Sequence, residues 1–328
     1  MRIGFYIILF FSTVCFSQKI NGISFVASNT PVNSEIIKPV LEVNANWVTL
    51  MPFGFMKTVS EVSIQYNSKQ QWWGETKEGI VKTAKGFHDK KIKIMLKPQI
   101  WIPNGGFTGQ INMKNEKEWR AFEKSYETFI LDYAQLAQNN NFELFCIGTE
   151  LNNFVISRPD YWKKLLQKIK KIYKGKITYA ENWDTYKNVP FLGELDYIGI
   201  DAYFELAREK TPTVAAIEKE WKPIKAAIKE LSLKYRKPIL FTEFGYQSQD
   251  YATLDPWNHS KSNAVNLVAQ KNALEALFLQ FWNEKWFAGG FLWKWYDIIN
   301  AGGLLDIDYT IQNKPSQNLV SYWYKKMR

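Results

Sequence analysis

Cysteine and histidine are almost missing from this chain. Two of each in 328 residues leave no basis for a disulfide framework or a histidine-rich metal centre. His88 falls in a helical pattern and His259 in a loop, with no second histidine at ligand spacing, so no metal site and no cofactor are expected. Phosphate-binding glycine loops are missing too: Gly105-Gly106 and Gly302-Gly303 lack the flanking pattern and read as turns. No linker and no shift in composition divides the chain. A long apolar run occurs only at the start, where Arg2 precedes the apolar residues 3–11 and the small Ser17 precedes Gln18. That pattern reads as a secretory signal over residues 1–17, too short to span a membrane as a mature helix. Cleavage there removes Cys15 and leaves Cys146 alone in an apolar strand, where it serves as a small hydrophobe. Lipid attachment at Cys15 is the weaker alternative, because Val14 is bulky where a lipobox carries Gly or Ala.

What the chain does have is aromatic side chains and positive charge. Aromatics make up 16% of the sequence, with 14 Trp, which favours a stacking ligand such as a sugar or a nucleobase. The net charge of +10, or +9 once Arg2 is removed, raises the question of a polyanionic partner. Its distribution answers in part: Lys163, Lys164, Lys168, Lys170 and Lys171 lie opposite an apolar stripe at Trp162, Leu165, Leu166, Ile169 and Ile172, a solvated helix face. No nucleic-acid partner is expected.

Along residues 18–328, eight apolar β-type runs alternate with helical patterns. They lie at 22–27, 45–51, 92–98, 143–149, 176–180, 195–200, 239–246 and 287–295. Between them, helices are expected at 77–89, after the capping pair Asn115 and Glu118, from Ser157 and Pro159 to Tyr173, and from Pro212 to Tyr235 with an interruption at Pro223. A further helix ends near Trp286 and another closes the chain. The stripe Trp119, Phe122, Tyr126, Phe129, Tyr133 and Leu136 is core. Eight alternating units with no boundary make one (β/α)8 TIM barrel of the α/β class.

Such a barrel opens every strand's C-terminal end on one face, where barrel enzymes keep their chemistry. The fourth run delivers Glu150 there and the seventh delivers Glu243, so the two carboxylates can meet across the mouth. Paired carboxylates flanking one bond are what glycoside hydrolysis requires, one to protonate the leaving oxygen and one to attack the sugar or activate water. A separation of about 5–5.5 Å goes with retention and about 6.5–9.5 Å with inversion.

Four motifs in order carry a resemblance: Ile147-Gly148-Thr149-Glu150-Leu151, Ile198-Gly199-Ile200-Asp201-Ala202-Tyr203, Thr242-Glu243-Phe244-Gly245-Tyr246 and Gln312-Asn313-Lys314-Pro315. With Trp293 on strand eight, the chain resembles the retaining clan A glycoside hydrolases, and within them glycoside hydrolase family 113, the β-mannanases. The resemblance implies Glu150 as acid/base, Glu243 as nucleophile, and Tyr203 as a hydrogen-bond donor near Glu243. One departure stands out. Most clan A enzymes have Asn before the acid/base to hold the sugar's 2-hydroxyl, and here Thr149 occupies that place, which leaves Asn152 and Asn182 as candidates. Asp201 is expected to orient a neighbour rather than bind substrate. Trp72, Trp101, Trp183, Trp257 and Trp293 are candidate sugar platforms, with Trp101 and Trp293 favoured as strand-end residues.

The function expected is that of a secreted or periplasmic, monomeric, retaining endo-β-1,4-mannanase acting on mannan or glucomannan, with a polysaccharide or oligosaccharide as its partner and no stable membrane insertion. A β-glucanase or an exo-acting β-glycosidase on the same barrel is the alternative among enzymes. A non-catalytic carbohydrate-binding barrel is the alternative of another class.

Overall fold

Because successive side chains of a strand point to opposite faces, a run that is apolar at every position must be buried on both, and this is how the strands are used. The computed structural model describes residues 18–258 and 262–327. The proposed signal segment 1–17 and His259 lie outside the described residues. The elements are β1 (Ile20–Phe25), α1 (Ser34–Glu42), β2 (Trp47–Leu50), β3 (Phe53–Phe55), β4 (Gln65–Tyr66), α2 (Lys77–His88), β5 (Lys93–Leu96) and β6 (Gln99–Trp101). Then come α3 (Glu116–Asn139), β7 (Leu144–Thr149), α4 (Asn152–Ser157), α5 (Pro159–Ile172), β8 (Lys176–Asn182) and β9 (Tyr197–Asp201). The chain ends with α6 (Val214–Tyr235), β10 (Ile239–Phe244), α7 (Leu267–Phe281), β11 (Phe287–Trp295) and α8 (Pro315–Lys326). Strands β1, β2, β5, β7, β8, β9, β10 and β11 close into one parallel barrel, a (β/α)8 TIM barrel.

Side chains alternate between the two sides of each strand, so one apolar run feeds two cores. Leu240 joins Ile20, Trp47, Met95, Cys146 and Phe291 inside the barrel, while its neighbours Ile239 and Phe241 pack outward against the helices. The aromatic stripe of α3 lies in that outer core, with Leu136 only partly buried. Burial pushes the Cys146 thiol up to about 11, so it stays protonated and inert. Closure of the ring needs a close approach at Gly289, where φ is +124° and a Cβ would stand 2.1 Å from the Ile20 carbonyl oxygen.

Several boundaries differ from the sequence expectation. The third barrel strand stops at Leu96, because Pro98 has no N–H to continue the ladder. Gln99–Trp101 instead forms β6 of a small separate sheet, ordered β4-β3-β6. Helix α5 is capped by Arg158 rather than Ser157, which ends the short α4. Pro223 does not interrupt α6: the buried face of Ile217, Trp221 and Ile228 holds the helix together past the one lost hydrogen bond. α7 ends at Phe281, five residues short of Trp286, whose carbonyl instead accepts from the Ile239 N–H that starts β10.

First and last elements are tied by one buried amide. Asn21 of β1 donates to the Tyr324 carbonyl at 3.0 Å and accepts from Trp282 Nε1 at 2.9 Å. Asn21→Leu strands both partners in the core and is expected to cost about 2–3 kcal/mol in urea denaturation. The exposed Gln135→Ala should stay within about 0.5 kcal/mol; equal costs would show that the latch contributes nothing.

Candidate active site

Both glutamates follow irregularities in the ladder. Between β7 and β8 the register shifts from Cys146 beside Thr178 to Thr149 beside Ala180, and between β10 and β9 from Phe241 beside Ile200 to Glu243 beside Asp201. Bulges re-aim the side chains that follow them. Glu150 is also held at φ +51°, in the left-handed region that a bulky residue seldom adopts, with its N–H bonded to the Ala180 carbonyl at 2.8 Å. Backbone held this way is over-determined by its surroundings, a feature common at active sites.

Around Glu243 the donors converge. Tyr203 Oη donates to Oε2 at 2.8 Å, Gln99 Nε2 donates to Oε1 at 3.2 Å, and Lys97 Nζ donates to the same Oε1. Lys97 is fully buried, directly after β5, and its ammonium also reaches both Asp201 oxygens at 3.1 and 3.2 Å. Burial alone would pull the lysine down, but the charges of Asp201 and Glu243 outweigh it and hold the ammonium above its ordinary range. Asp201 accepts from Thr242 Oγ1 at 2.7 Å and touches the network rather than the open mouth, the place of an orienting residue. Burial and the Glu243 charge raise the Asp201 carboxyl to about 7 against the pull of Lys97.

Glu150 sits differently. No hydrogen bond reaches its carboxylate among the described residues, and burial, then the charges of Asp201 and Glu243, raise it well above the ordinary range. The site therefore contains one carboxylate surrounded by donors and one pushed towards its protonated form. Pairs whose environments diverge in this way divide into base or nucleophile and acid.

The other sequence candidates sort themselves by place. Asn182 ends β8 beside Asp201, with its Oδ1 accepting from the Trp183 N–H at 3.0 Å. Asn152 opens α4 with its Oδ1 buried and unpartnered, as is Thr149 Oγ1. Trp293 is half-buried in β11, and its carbonyl comes so close that a Cβ at Gly245 would stand 2.5 Å away. Trp72, Trp101 and Trp257 are about half exposed on segments that leave the C-terminal ends of the barrel. Trp101, however, ends β6 of the small sheet, edge-on to Phe53, and not a barrel strand. Trp183 packs against Phe204.

Sequence reasoning passed over Lys97, Gln99 and Glu181. Lys97 had a signal: a lysine closing the apolar run Ile94-Met95-Leu96 at the mouth of a barrel is out of place unless paired. Glu181, buried at the end of β8, accepts from Tyr179 Oη, Thr185 Oγ1 and the Asn182 N–H, and burial raises it to about 7.

A family model described as Glycoside Hydrolase Family 113 matches residues 24–326. The chain belongs to that family. It is a glycoside hydrolase, and its solved structural relatives agree in fold. The family 113 β-mannanase AaManA of Alicyclobacillus acidocaldarius, solved in complex with ManMIm, superposes with a TM-score of 0.83 at 24% identity over 95% of this chain and 98% of that one. A second family 113 β-1,4-mannanase complex gives 0.81 at 21% identity, covering 94% and 99%. A β-glucuronidase of Faecalibacterium prausnitzii shares the barrel at a TM-score of 0.60 and 14% identity, across 49% of its own length. No curated protein sequence matches the chain. No helix among the described residues is long and apolar enough to cross a membrane.

Lys97→Met leaves two carboxylates without their buried cation and should cost about 3–5 kcal/mol. Adding Asp201→Asn removes one stranded charge, so the double variant is expected to recover part of that loss in urea denaturation. Costs that simply add would show that Lys97 and Asp201 are not energetically paired.

Proposed function

We propose that this family 113 glycoside hydrolase is an exported, retaining endo-β-1,4-mannanase in which Glu243 is the nucleophile and Glu150 the acid/base. The observation that carries the reading is the asymmetry of the two carboxylates: Lys97, Gln99 and Tyr203 donate to Glu243, while no described side chain donates to Glu150 and burial with the neighbouring negative charges raises its carboxyl. The β-mannanase activity of the structural relatives supports the choice of substrate, and the apolar segment 3–11 after Arg2 supports export.

In the first step a Glu243 oxygen attacks C1 of the mannosyl unit. The glycosidic C1–O bond breaks, its electron pair goes to the leaving oxygen, and Glu150 supplies the proton. Tyr203 and Lys97 hold the attacking carboxylate in place. Once Glu243 is an ester its charge is gone, and with it one of the causes that raise Glu150. Glu150 then accepts a proton from water as the water oxygen attacks C1, and the ester bond returns its electron pair to Glu243. Asn182, part-exposed at the end of β8 beside Asp201, and Asn152, which opens α4 two residues after Glu150, are the candidates to take the 2-hydroxyl. The exposed Trp72, Trp101 and Trp257 serve as platforms for a chain that extends beyond the cleavage point.

The test compares mannan, glucomannan, cellulose and xylan. Mannan and glucomannan should be cut to oligosaccharides whose first-formed anomer, read by proton NMR, keeps the β configuration. Glu150→Gln should lose about 100- to 10,000-fold in kcat, and Glu243→Gln at least as much. Azide separates the roles: added to Glu150→Ala it should give a β-glycosyl azide, and added to Glu243→Ala an α-glycosyl azide. Cleavage of cellulose alone, monosaccharide release from chain ends, or binding without turnover would each replace the mannanase reading.

Glu150 must carry its proton in the first step, so activity persists as pH rises until the pH passes its folded pKa. Because burial and neighbouring charge raise that pKa, the alkaline limb of kcat/KM should lie above the ordinary glutamate range and vanish in Glu150→Gln. An alkaline limb unchanged in that variant assigns it to another group.

A further inference from the structure

The end of the barrel remote from the two glutamates holds a basin of about 1540 Å³, lined by the N-terminal ends of the strands. Ile20, Trp47, Tyr197 and Phe287, the first residues of β1, β2, β9 and β11, form its floor. Eight Lys and Arg side chains line it, against three carboxylates. Those carboxylates are already engaged: Glu143 with His88 and the Ile94 N–H, Glu284 with Lys225 and Trp286, and Asp196 with the Ile177 N–H. Among the described residues Lys93, Lys174, Lys176, Arg236, Lys237 and Lys326 have no carboxylate within 4.0 Å. Elsewhere some lysines are paired, as in Lys168 with Glu127 and Lys225 with Glu284, and others stand singly on the surface. Here the positive charge is concentrated and left unneutralised over low-dielectric walls, which focuses the field into the basin.

We infer that this basin is a second binding site, for an oligomeric carboxylated sugar such as a run of uronic acids. Four features select that class. The floor rings are covered: Lys93 Nζ lies 5.6 Å from the Trp47 ring and Lys176 Nζ 5.0 Å from the Tyr197 ring, so no bare aromatic face is offered to a nucleobase. Among the described residues none of the exposed large apolar side chains lines the basin, which leaves none of them to insert into a lipid surface there. The surface is concave, and its charges are almost all lysine, point charges that match spaced anions without demanding the planar fork geometry of arginine. A glycoside hydrolase also works among glycans, and a site opposite the cleavage face can hold one acidic segment of a polymer while a neutral segment is cut, raising the local substrate concentration.

The experiment measures binding of a galacturonic acid hexamer by calorimetry, with mannohexaose, single-stranded DNA and phosphatidylglycerol vesicles as comparison probes. Binding should weaken as salt rises from about 50 to 500 mM. The triple variant Lys93→Gln, Lys176→Gln, Arg236→Gln should weaken it about tenfold. A second triple variant, Lys163→Gln, Lys164→Gln, Lys171→Gln, removes the same charge from α5 and should stay within about twofold of wild type. Thermal melting checks that both remain folded. Equal weakening in the two variants would reduce the effect to net charge and overturn the site. So would no binding of the hexamer, or loss of DNA or vesicle binding in the first variant with the hexamer unaffected. Because the readout is binding at the far end of the barrel, it stands or falls separately from the assignment of Glu150 and Glu243.

Discussion

One buried ammonium organises the mouth of the barrel where the two glutamates stand. Lys97 is a full positive charge with no access to water, tolerated only because Asp201 and Glu243 meet it on the spot. Each partner depends on the other two. Without the lysine, two neighbouring carboxylates would face each other in low dielectric; without the carboxylates, the lysine could not stay charged. The barrel is what brings these groups together, since they come from the ends of its third, sixth and seventh strands. Tyr203 and Gln99 complete the donor set around Glu243, and Glu150 feels the remaining negative charge from the neighbouring fourth strand.

Rigidity of the scaffold explains how such a cluster stays in place. The strands are buried on both sides, so no side chain of β10 before Glu243 faces solvent. Register shifts on β7 and β10 turn the chain just before each glutamate, and Glu150 is pinned further by its left-handed backbone and its bond to Ala180. The two glutamates to which the proposed chemistry is assigned thus sit where local regularity is broken, while regular alternation along the strands supplies the frame.

Much of this was legible in the sequence, and the reasons are physical. Eight apolar runs alternating with helical periodicity have few alternatives to a closed barrel, and two strand-end glutamates three strands apart match the carboxylate pair that glycoside hydrolysis requires. Helix α1 escaped notice because Pro39 sits inside it, although the Asn33 side chain caps its start. The small β4-β3-β6 sheet escaped because its strands are two or three residues long, below any periodicity. Lys97 escaped for a different reason: its partners are 104 and 146 residues away, and only the closed ring makes them neighbours. Trp101 stands on a segment that Pro98 diverts from the barrel, so a strand-end position in sequence became a place on the small sheet.

The central claim is that Glu243, held by Lys97 and Tyr203, forms a covalent bond to the sugar. A 2-deoxy-2-fluoro-mannosyl fluoride slows both chemical steps and, with a good leaving group, traps the intermediate. Digestion and mass spectrometry of the inactivated protein should place the single fluorosugar on Glu243. A label on any other residue, or continued turnover with no labelled protein, would contradict the account.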